Sequence, residues 1–324
     1  MVKVADLSAP PASKNRFGVK VIWEQYSVIF AFIVLVVLAS VLSEHFLSVA
    51  NITNVLRQIS IVGIISVGMT FVIILGGIDL SVGSILALSG MVIMAAQVTY
   101  HLPIGISILL GLAMGIILGL INGFMITYGK ITAFIATLAM MTIARSLALY
   151  YADAGAISGM NANYAKIGNG YLLGIPYPVL IFAFIVFISF VVLEKTVFGR
   201  HIYAVGGNRQ SARLSAISVI RVTIISYMIC GFTAAIGSII ETSRLNSIST
   251  SSSGNMYELD AIAAVIIGGA SLSGGRGRII GTLFGVLILG VLSNVMNLLN
   301  ISPYLQGVVK GLIIIAAVML QKKE

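Results

Sequence analysis

The clearest pattern in the sequence is a series of long apolar stretches separated by short polar ones. A helix needs about 20 apolar residues to cross the hydrocarbon core of a bilayer. By this measure the pattern predicts about ten spans, near residues 26–42, 58–76, 82–98, 104–127, 131–150, 177–193, 222–241, 260–275, 279–299 and 303–320. We therefore expect an all-α polytopic membrane protein whose first span is not cleaved as a signal peptide.

Composition agrees with this reading. The chain is 59% hydrophobic and 9% charged, whereas soluble domains carry roughly 25% charged residues. Its net charge of +9 could suggest nucleic acid, but in a membrane chain an excess of Lys and Arg usually marks cytoplasmic loops. Membrane lipid is therefore the expected surrounding, and nucleic acid is not an expected partner.

The positions of the cations predict which side each loop occupies. If both termini are cytoplasmic, most of the 19 Lys and Arg lie on that side, including Lys130, Arg276 and Arg278. The predicted organisation is a cytoplasmic tail at residues 1–22, one transmembrane domain at 23–321 with a cytoplasmic loop at 194–221, and a short cytoplasmic tail at 322–324.

Two glycine-rich interruptions break the apolar pattern, GGIDLSVGS at residues 76–84 and GGASLSGGRGR at residues 268–278. Their similar arrangement suggests a weak internal repeat. Broken backbone at membrane depth persists only where it is buried or lines a cavity, which is typical of a transport pathway. The pathway or gate residues predicted on this basis are Asp79, Ser81, Ser84, Ser271 and Ser273.

An ordinary explanation of these interruptions stays open at this point. They could be tight turns at the cytoplasmic surface, with Asp79, Ser81 and Ser84 capping the next helix. The spacing of the apolar stretches allows both interpretations.

The longest basic interruption covers residues 194–221. Its five cations are Lys195, Arg200, Arg209, Arg213 and Arg221. Within it, Gly206 and Gly207 indicate a turn, and Asn208 is predicted to cap a short helix. Such a helix on the cytoplasmic face could contact another protein, whereas a basic loop could also contact anionic lipid.

Three features inside the apolar stretches carry smaller predictions. The run GLAMGIILGLING at residues 111–123 should allow close helix packing, more reasonably within the subunit than at a dimer face. Arg145 could pair with a carboxylate in the bundle or extend to the outer surface, which is the more ordinary outcome. The single cysteine, Cys230, is expected to be a buried structural thiol.

Polar segments between the later spans predict an outer surface. Residues 243–260, SRLNSISTSSSGNMYELD, are too polar to be buried in lipid, and they form either a docking surface for a partner or a flexible loop. The docking residues predicted here are Arg244, Glu258 and Asp260.

The sequence lacks the motifs of several enzyme classes. It contains no GxxxxGK[ST] phosphate loop, no HExxH pair and no cluster of Cys and His. We therefore expect no enzymatic activity and no cofactor, and any use of ATP must involve a separate subunit. An ion-coupled secondary transporter, with Asp79 or Glu241 as the ion site, stays an alternative.

Several segments resemble the permease subunit of ribose-type sugar ABC importers. The residues that carry the resemblance are GGIDLSVGS at 76–84, FIATLAMM at 134–141, FGRHIYAVGGN at 198–208, ARLSAISV at 212–219 and ELDAIAAVIIGGASLSGGRGRIIGT at 258–282. The resemblance extends from about residue 20 to the end of the chain. It implies inward transport of ribose or a similar monosaccharide by a multi-pass protein of the bacterial cytoplasmic (inner) membrane.

The resemblance also implies partners and a coupling site. These partners are two ATPase subunits, an extracytoplasmic sugar-binding protein and a second permease copy in a homodimer. The coupling residues implied are Gly206, Gly207, Asn208, Ala212, Arg213 and Leu214. This sequence departs from the family in having Arg209 after Asn208, where an acidic residue is common, and Ala216 where glycine is common. Importers of autoinducers and nucleosides look similar, so the ligand class stays open at this point.

Overall fold

A computed structural model describes residues 19–159 and 161–321 of the chain. The helices are α1 (Val19–Leu42), α2 (Val49–Ile74), α3 (Val82–Val98), α4 (Ile104–Thr127), α5 (Ala133–Tyr151), α6 (Ala162–Asn169), α7 (Tyr177–Lys195), α8 (Val197–Gly207), α9 (Arg209–Leu214), α10 (Val219–Leu245), α11 (Tyr257–Ile267), α12 (Ile279–Leu298) and α13 (Pro303–Gln321). Four short strands accompany them: β1 (Ala156–Ser158), β2 (Tyr171–Leu172), β3 (Ile175–Pro176) and β4 (Ser247–Ser249). The predicted all-α class is therefore confirmed.

Six of these helices, α2, α4, α5, α7, α10 and α12, are long and apolar enough to cross a membrane. Shorter apolar helices occupy Val28–Leu42, Val82–Val98 and Pro303–Ala316. The span predicted at residues 260–275 is not one continuous helix. Helix α11 has 11 residues, about 16 Å at the standard rise, and it ends where Gly269 adopts a φ of +88°.

The predicted tails fall largely outside the described residues. Residues 1–18 and 322–324 lie beyond them, and helix α1 already begins at Val19. The tail predicted at residues 1–22 is therefore helical over its last four positions.

Helix α10 lies at the centre of the bundle and packs against α2, α3 and α4. Its 27 residues extend about 40 Å. On α4, a Cβ atom at Gly119 would collide with the backbone of Tyr227, and one at Gly115 with the backbone of Gly231. The glycine-rich run at residues 111–123 thus packs within the subunit, as predicted, and Cys230 is fully buried beside it.

The two ends of α10 define the two ends of the molecule. Helices α8 and α9 precede its first residue, and we call this the α9 end. At the other end, β4 follows α10 and pairs with β1 in antiparallel register, Ala156 opposite Ser249. Helix α6 also packs there, with Gly168 against the backbone of Arg244, and we call this the α6 end.

The strands β2 and β3 form a second short antiparallel pair. They lie between α6 and α7 in the chain and complete the α6 end. This end therefore contains every strand of the described residues, whereas the α9 end is built from helices and turns.

Candidate functional site

Helix α9 is a short, capped and exposed element at the α9 end. The Asn208 side chain accepts a hydrogen bond from the Ser211 backbone N–H at 2.9 Å, which confirms the predicted cap. Ala212 is buried, whereas Arg213 is exposed and Leu214 is 84% exposed. The helix thus exposes one cation, Arg213, and one apolar side chain, Leu214. It is anchored to the bundle by the buried Ala212.

The preceding helix, α8, is attached to the bundle through glycine contacts. Gly206 is helical and does not form the predicted turn; the chain leaves the helix at Asn208 instead. A Cβ atom at Gly206 would collide with the carbonyl oxygen of Ile74 and would come within 2.7 Å of the Gly275 nitrogen. Glycine is therefore required at position 206 for close backbone approach.

The same contacts bring the two glycine-rich interruptions together. The Gly275 N–H donates to the Ile74 carbonyl at 2.8 Å, and Gly274 approaches the backbone of both Gly76 and Gly206. We call Gly76, Gly206, Gly274 and Gly275 the glycine junction. Three segments far apart in the sequence thus meet backbone to backbone at the α9 end.

Tyr203 adds a side-chain bond between α8 and the second interruption. Its hydroxyl donates to the Gly277 carbonyl at 2.7 Å. Burial, together with the negative charge of Glu194, raises the pKa of the Tyr203 hydroxyl to about 12, so this donor keeps its proton at physiological pH. No local pattern in the sequence indicates this role, because an aromatic residue in a segment of mixed polarity has many ordinary explanations.

The first interruption, residues 76–84, contains a buried hydrogen-bonded chain of polar groups. Asp79 Oδ1 accepts from both the backbone N–H and the hydroxyl of Ser81. Asn122 of α4 donates to that hydroxyl at 2.9 Å. Asp79, Ser81 and Asn122 are all fully buried, so the predicted pathway residues Asp79 and Ser81 lie inside the bundle.

This chain of polar groups lies deep in the bundle rather than at its surface. The Tyr227 hydroxyl donates to the Ile78 carbonyl at 3.4 Å, and Cys230 lies beside Asp79. Tyr227 and Cys230 belong to α10. They follow its first residue by 8 and 11 positions, which is about 12 and 17 Å along the helix. Ser81 holds the N-cap position of α3 without a capping bond from its own side chain, whereas Asp79 Oδ1 accepts from the backbone N–H of Ser81 at the start of that helix.

Ser84 lies in the first turn of α3 and is 1% exposed. Among the described residues its hydroxyl has no hydrogen-bond partner. A buried hydroxyl without a partner is costly, so Ser84 is unlike Asp79 and Ser81, whose polar groups are bonded to each other.

The second interruption, residues 268–278, lies at the α9 end and is more accessible. Ser271 is half-buried and Ser273 is exposed. The Ser271 hydroxyl accepts from the Ser273 N–H at 3.2 Å, a bond that only stabilises the turn. The structure therefore does not place Ser271 and Ser273 with Asp79 and Ser81.

The three predicted docking residues have different environments. Arg244 is partly exposed at the α6 end. Glu258 is 6% exposed, and Asp260 receives two hydrogen bonds of 2.9 Å from Lys310 of α13. In this conformation neither carboxylate is free to meet a partner.

Arg145, Glu241 and Glu258 form a charged cluster inside the bundle. The sequence does not show that these three residues lie together. Glu241 is also 6% exposed, and it lies beside Ser253 and Tyr257. Arg145 does not extend to the outer surface as expected; its guanidinium donates to the carbonyls of Thr250 and Ser253, both at 2.8 Å. The available signal was that each of these charges lies within or beside an apolar stretch.

A family model described as "Branched-chain amino acid transport system / permease component" matches residues 51–318. The chain is 49% identical over 293 residues to the ribose import permease protein of Bacillus subtilis, covering 90% of each chain. It is 42% identical over 323 residues to the ribose import permease protein of Escherichia coli K12, covering 98% of this chain and all of the relative.

A third relative is the L-arabinose transport system permease protein of Escherichia coli K12, which is 38% identical over 315 residues. That match covers 97% of this chain and 95% of the relative. No solved structure matches the chain.

Proposed function

The chain belongs to the family of transport-system permease components, and on that premise we propose that it is the membrane-spanning subunit of an ATP-driven importer of ribose or a similar monosaccharide. It works in the bacterial cytoplasmic membrane as a multi-pass protein. The similarity to ribose and L-arabinose permeases over nearly the whole chain is the observation that supports this proposal most strongly.

The form of helix α9 supports an ATPase as the partner at the α9 end. The sequence has no phosphate loop of its own, whereas α9 is capped, exposed and basic. Of the predicted coupling residues we retain Gly206, Asn208, Ala212, Arg213 and Leu214, whereas Gly207 has no side chain to offer and a Cβ atom there would meet nothing within 4 Å. Arg213 and Leu214 would form the direct contacts, Asn208 and Ala212 would fix the helix, and Gly206 would attach it to the bundle.

We extend this proposal to the topology. The α9 end and both termini are cytoplasmic, and the membrane contains ten helices, α1–α5, α7 and α10–α13. Helix α11 is too short to cross the hydrocarbon core, which is about 30 Å thick, so it enters the membrane only partway. The basic residues of 194–221 at the α9 end support this orientation.

The glycine junction gives the proposed transport cycle a physical route. Closure of the ATPase subunits on ATP would displace α9 and, through Asn208, helix α8. Because Gly206 contacts the backbone at Ile74 and Gly275, a displacement of α8 must shift both glycine-rich interruptions. The first interruption contains Asp79 and Ser81, so the motion reaches the buried polar groups that we propose as the gate.

The α6 end would then face outward and receive the sugar-binding protein. It contains strands, α6 and the partly exposed Arg244, which stays a docking candidate. Glu258 and Asp260 would act inside the bundle rather than at the docking surface. A second copy of the chain completes the importer as a homodimer.

The test is reconstitution in vesicles of the chain with an ATPase subunit and a sugar-binding protein co-purified from the native host. We expect uptake of labelled ribose that requires ATP and the binding protein and does not respond to a proton gradient. Uptake that follows the proton gradient and ignores ATP would instead establish the ion-coupled alternative.

The contact at α9 has its own variant. Arg213→Glu reverses a charge on an exposed helix and should abolish ATP-dependent uptake while leaving membrane insertion intact. The matched control is Lys130→Glu, since Lys130 is also an exposed cation on the proposed cytoplasmic side, and it should transport normally. Equal uptake by both variants would refute the assignment of α9 to coupling.

A further inference from the structure

The segment between β4 and α11, residues 250–256, is not helical, yet it runs into the bundle. Ile248 packs against Gly90 of α3, and Gly254 packs against Gly83 of the same helix. These two glycines are seven residues apart, about 10 Å along the helix. The chain therefore descends beside α3 before α11 begins.

The part of the segment that lies farthest from the α6 end is near the middle of the bundle. Leu86 packs against Gly237 of α10, and Gly83 lies about one turn further from the α6 end than Leu86. This places Gly83 and Gly254 roughly 17 Å from the α6 end of α10, which is about 40 Å long. A Cβ atom at either glycine would collide with the carbonyl oxygen of the other, so their backbones are in direct contact at this depth.

One side of the segment is fixed to the bundle. Thr250 is fully buried and Ser253 is 6% exposed, and Arg145 donates to the carbonyls of both. The Thr250 hydroxyl donates to the Gly155 carbonyl at 2.8 Å. The half-buried Arg145 and the buried carboxylates of Glu241 and Glu258 therefore lie behind the segment.

The other side of the segment is not covered by any other part of the described chain. Ser251, Ser252 and Asn255 are exposed, and Met256 is 50% exposed. Non-helical backbone at membrane depth cannot face lipid, because the hydrocarbon offers no hydrogen-bond partners. The exposed polar side must therefore face water or another polypeptide.

We propose that the exposed side of residues 250–256 is a wall of the aqueous path through which the sugar crosses the membrane. The proposal rests on the importer function proposed above, and the second permease copy would supply the facing wall.

The chemistry of this wall fits a neutral polyhydroxylated ligand. The segment reads TSSSGNM and contains no charged residue. Hydroxyl and amide groups can both donate and accept hydrogen bonds, as sugar hydroxyls require. Without a fixed charge they hold a sugar only weakly, and a conducting path needs weak sites so that the ligand can leave.

Cysteine labelling in the reconstituted importer tests the proposal. Ser251→Cys, Ser252→Cys and Asn255→Cys are treated with a charged, membrane-impermeant thiol reagent, in the nucleotide-free state and with ATP trapped on the ATPase. The native Cys230 is fully buried, so its background reaction should be small. We expect labelling rates that differ roughly tenfold or more between the two states, because ATP shifts most of the population, and slower labelling when ribose is present.

Two reference positions separate the outcomes. Ile143→Cys, on the exposed side of α5 close to Arg145, should face lipid and stay unlabelled in both states. Leu173→Cys, 96% exposed between β2 and β3, should label rapidly in both. Segment cysteines that behave like either reference, unreactive or rapid in both states, would overturn the proposal.

A transport variant gives an independent measurement. Asn255→Leu removes an amide from the wall and should lower ribose uptake roughly tenfold while ATP hydrolysis and complex assembly persist, whereas Asn255→Gln should transport within about twofold. Normal uptake by Asn255→Leu would contradict the proposal. If the unmodified importer shows no ATP-dependent uptake at all, the proposed function fails instead, and the two failures are therefore distinguishable.

Discussion

The two glycine-rich interruptions look alike in sequence but have opposite environments in the structure. Residues 76–84 enclose a fully buried chain of polar groups from Asp79 to Asn122. Residues 268–278 form turns at the α9 end, where Ser273 is exposed. The difference comes from their neighbours, because α10 and α4 cover the first, whereas the glycine junction and the bond from Tyr203 to Gly277 hold the second at the α9 end.

Glycine therefore has two different structural consequences in this membrane chain. In the first interruption, loss of helix lets polar side chains reach the interior. In the second, it lets backbone meet backbone, so that α8 is attached to the segment before α12 and, through Gly274, to Gly76. A change in the junction should therefore affect the transmission of motion, whereas a change near Asp79 should affect the gate itself.

Among the changes that test this comparison, the largest effect is expected at Gly206. Gly206→Ala forces a Cβ against the Ile74 carbonyl, and overpacking of this kind costs about 1–3 kcal/mol. If this cost falls on the step that transmits the motion of α9, about 1.4 kcal/mol would slow that step tenfold, so ATP-dependent ribose uptake should fall about tenfold or more while ATP hydrolysis continues.

Gly207→Ala is the matched control, because a Cβ atom at Gly207 would have no neighbour within 4 Å. Its uptake should stay within about twofold of the original chain. An equal loss of uptake in both variants would show that α8 is sensitive to any added side chain. It would contradict a specific role for the glycine junction.

A large effect is also expected at Asp79, where the replacement decides the outcome. Asp79→Ala leaves the Ser81 N–H and hydroxyl without their acceptor, at a cost of about 1–3 kcal/mol, and should lower the melting temperature in detergent and transport. Asp79→Asn keeps an acceptor oxygen and should retain most uptake. Complete loss of uptake in Asp79→Asn, with normal melting, would mean that the negative charge itself is needed, as in an ion-coupled transporter.

A smaller effect should distinguish the serines of the two interruptions. Ser81→Ala removes a buried hydroxyl that bonds both Asp79 and Asn122, and should destabilise the fold by about 1–3 kcal/mol. Ser271→Ala removes only an acceptor in a half-buried turn and should change stability by less than about 0.5 kcal/mol. Paired melting curves in detergent check this, and equal shifts would contradict the different environments.

The smallest effect, and one that stabilises, is expected at the end of α9. Ala216 has a φ of +60°, and its N–H donates to the Arg213 carbonyl in a left-handed helix end. Glycine adopts this conformation without strain, so Ala216→Gly should stabilise the α9 end by up to about 1 kcal/mol. A lower melting temperature in this variant would contradict the prediction. It would show that the added flexibility of the unfolded chain outweighs the relief of backbone strain at position 216.

Local patterns in the sequence predicted most of the fold. Apolar stretches of sufficient length gave the helices, because the bilayer requires every backbone group to be bonded within a helix. The Asn208 cap was equally local, since it depends on four neighbouring residues. The position of α11 was less accurate, because its glycines end the helix before the apolar composition does.

Contacts between distant segments could not be predicted in this way. Gly206 looked like a turn residue, and only the structure shows it against Ile74 and Gly275. Likewise, the polar segment at 250–256 looked like an outer loop or docking surface. Its placement beside α3 depends on Arg145 and on the contact of Gly254 with Gly83, which no local pattern reveals.

The ion pair between Lys310 and Asp260 has a consequence for how the chain enters the membrane during synthesis. A lysine near the centre of a helix costs about 2.5–3.5 kcal/mol on insertion, and α13 contains Lys310 within an apolar stretch. Asp260 lies in α11, which is too short to cross alone. Each segment inserts poorly by itself, so we expect the last three helices to leave the translocon together as one unit, with the ion pair already formed.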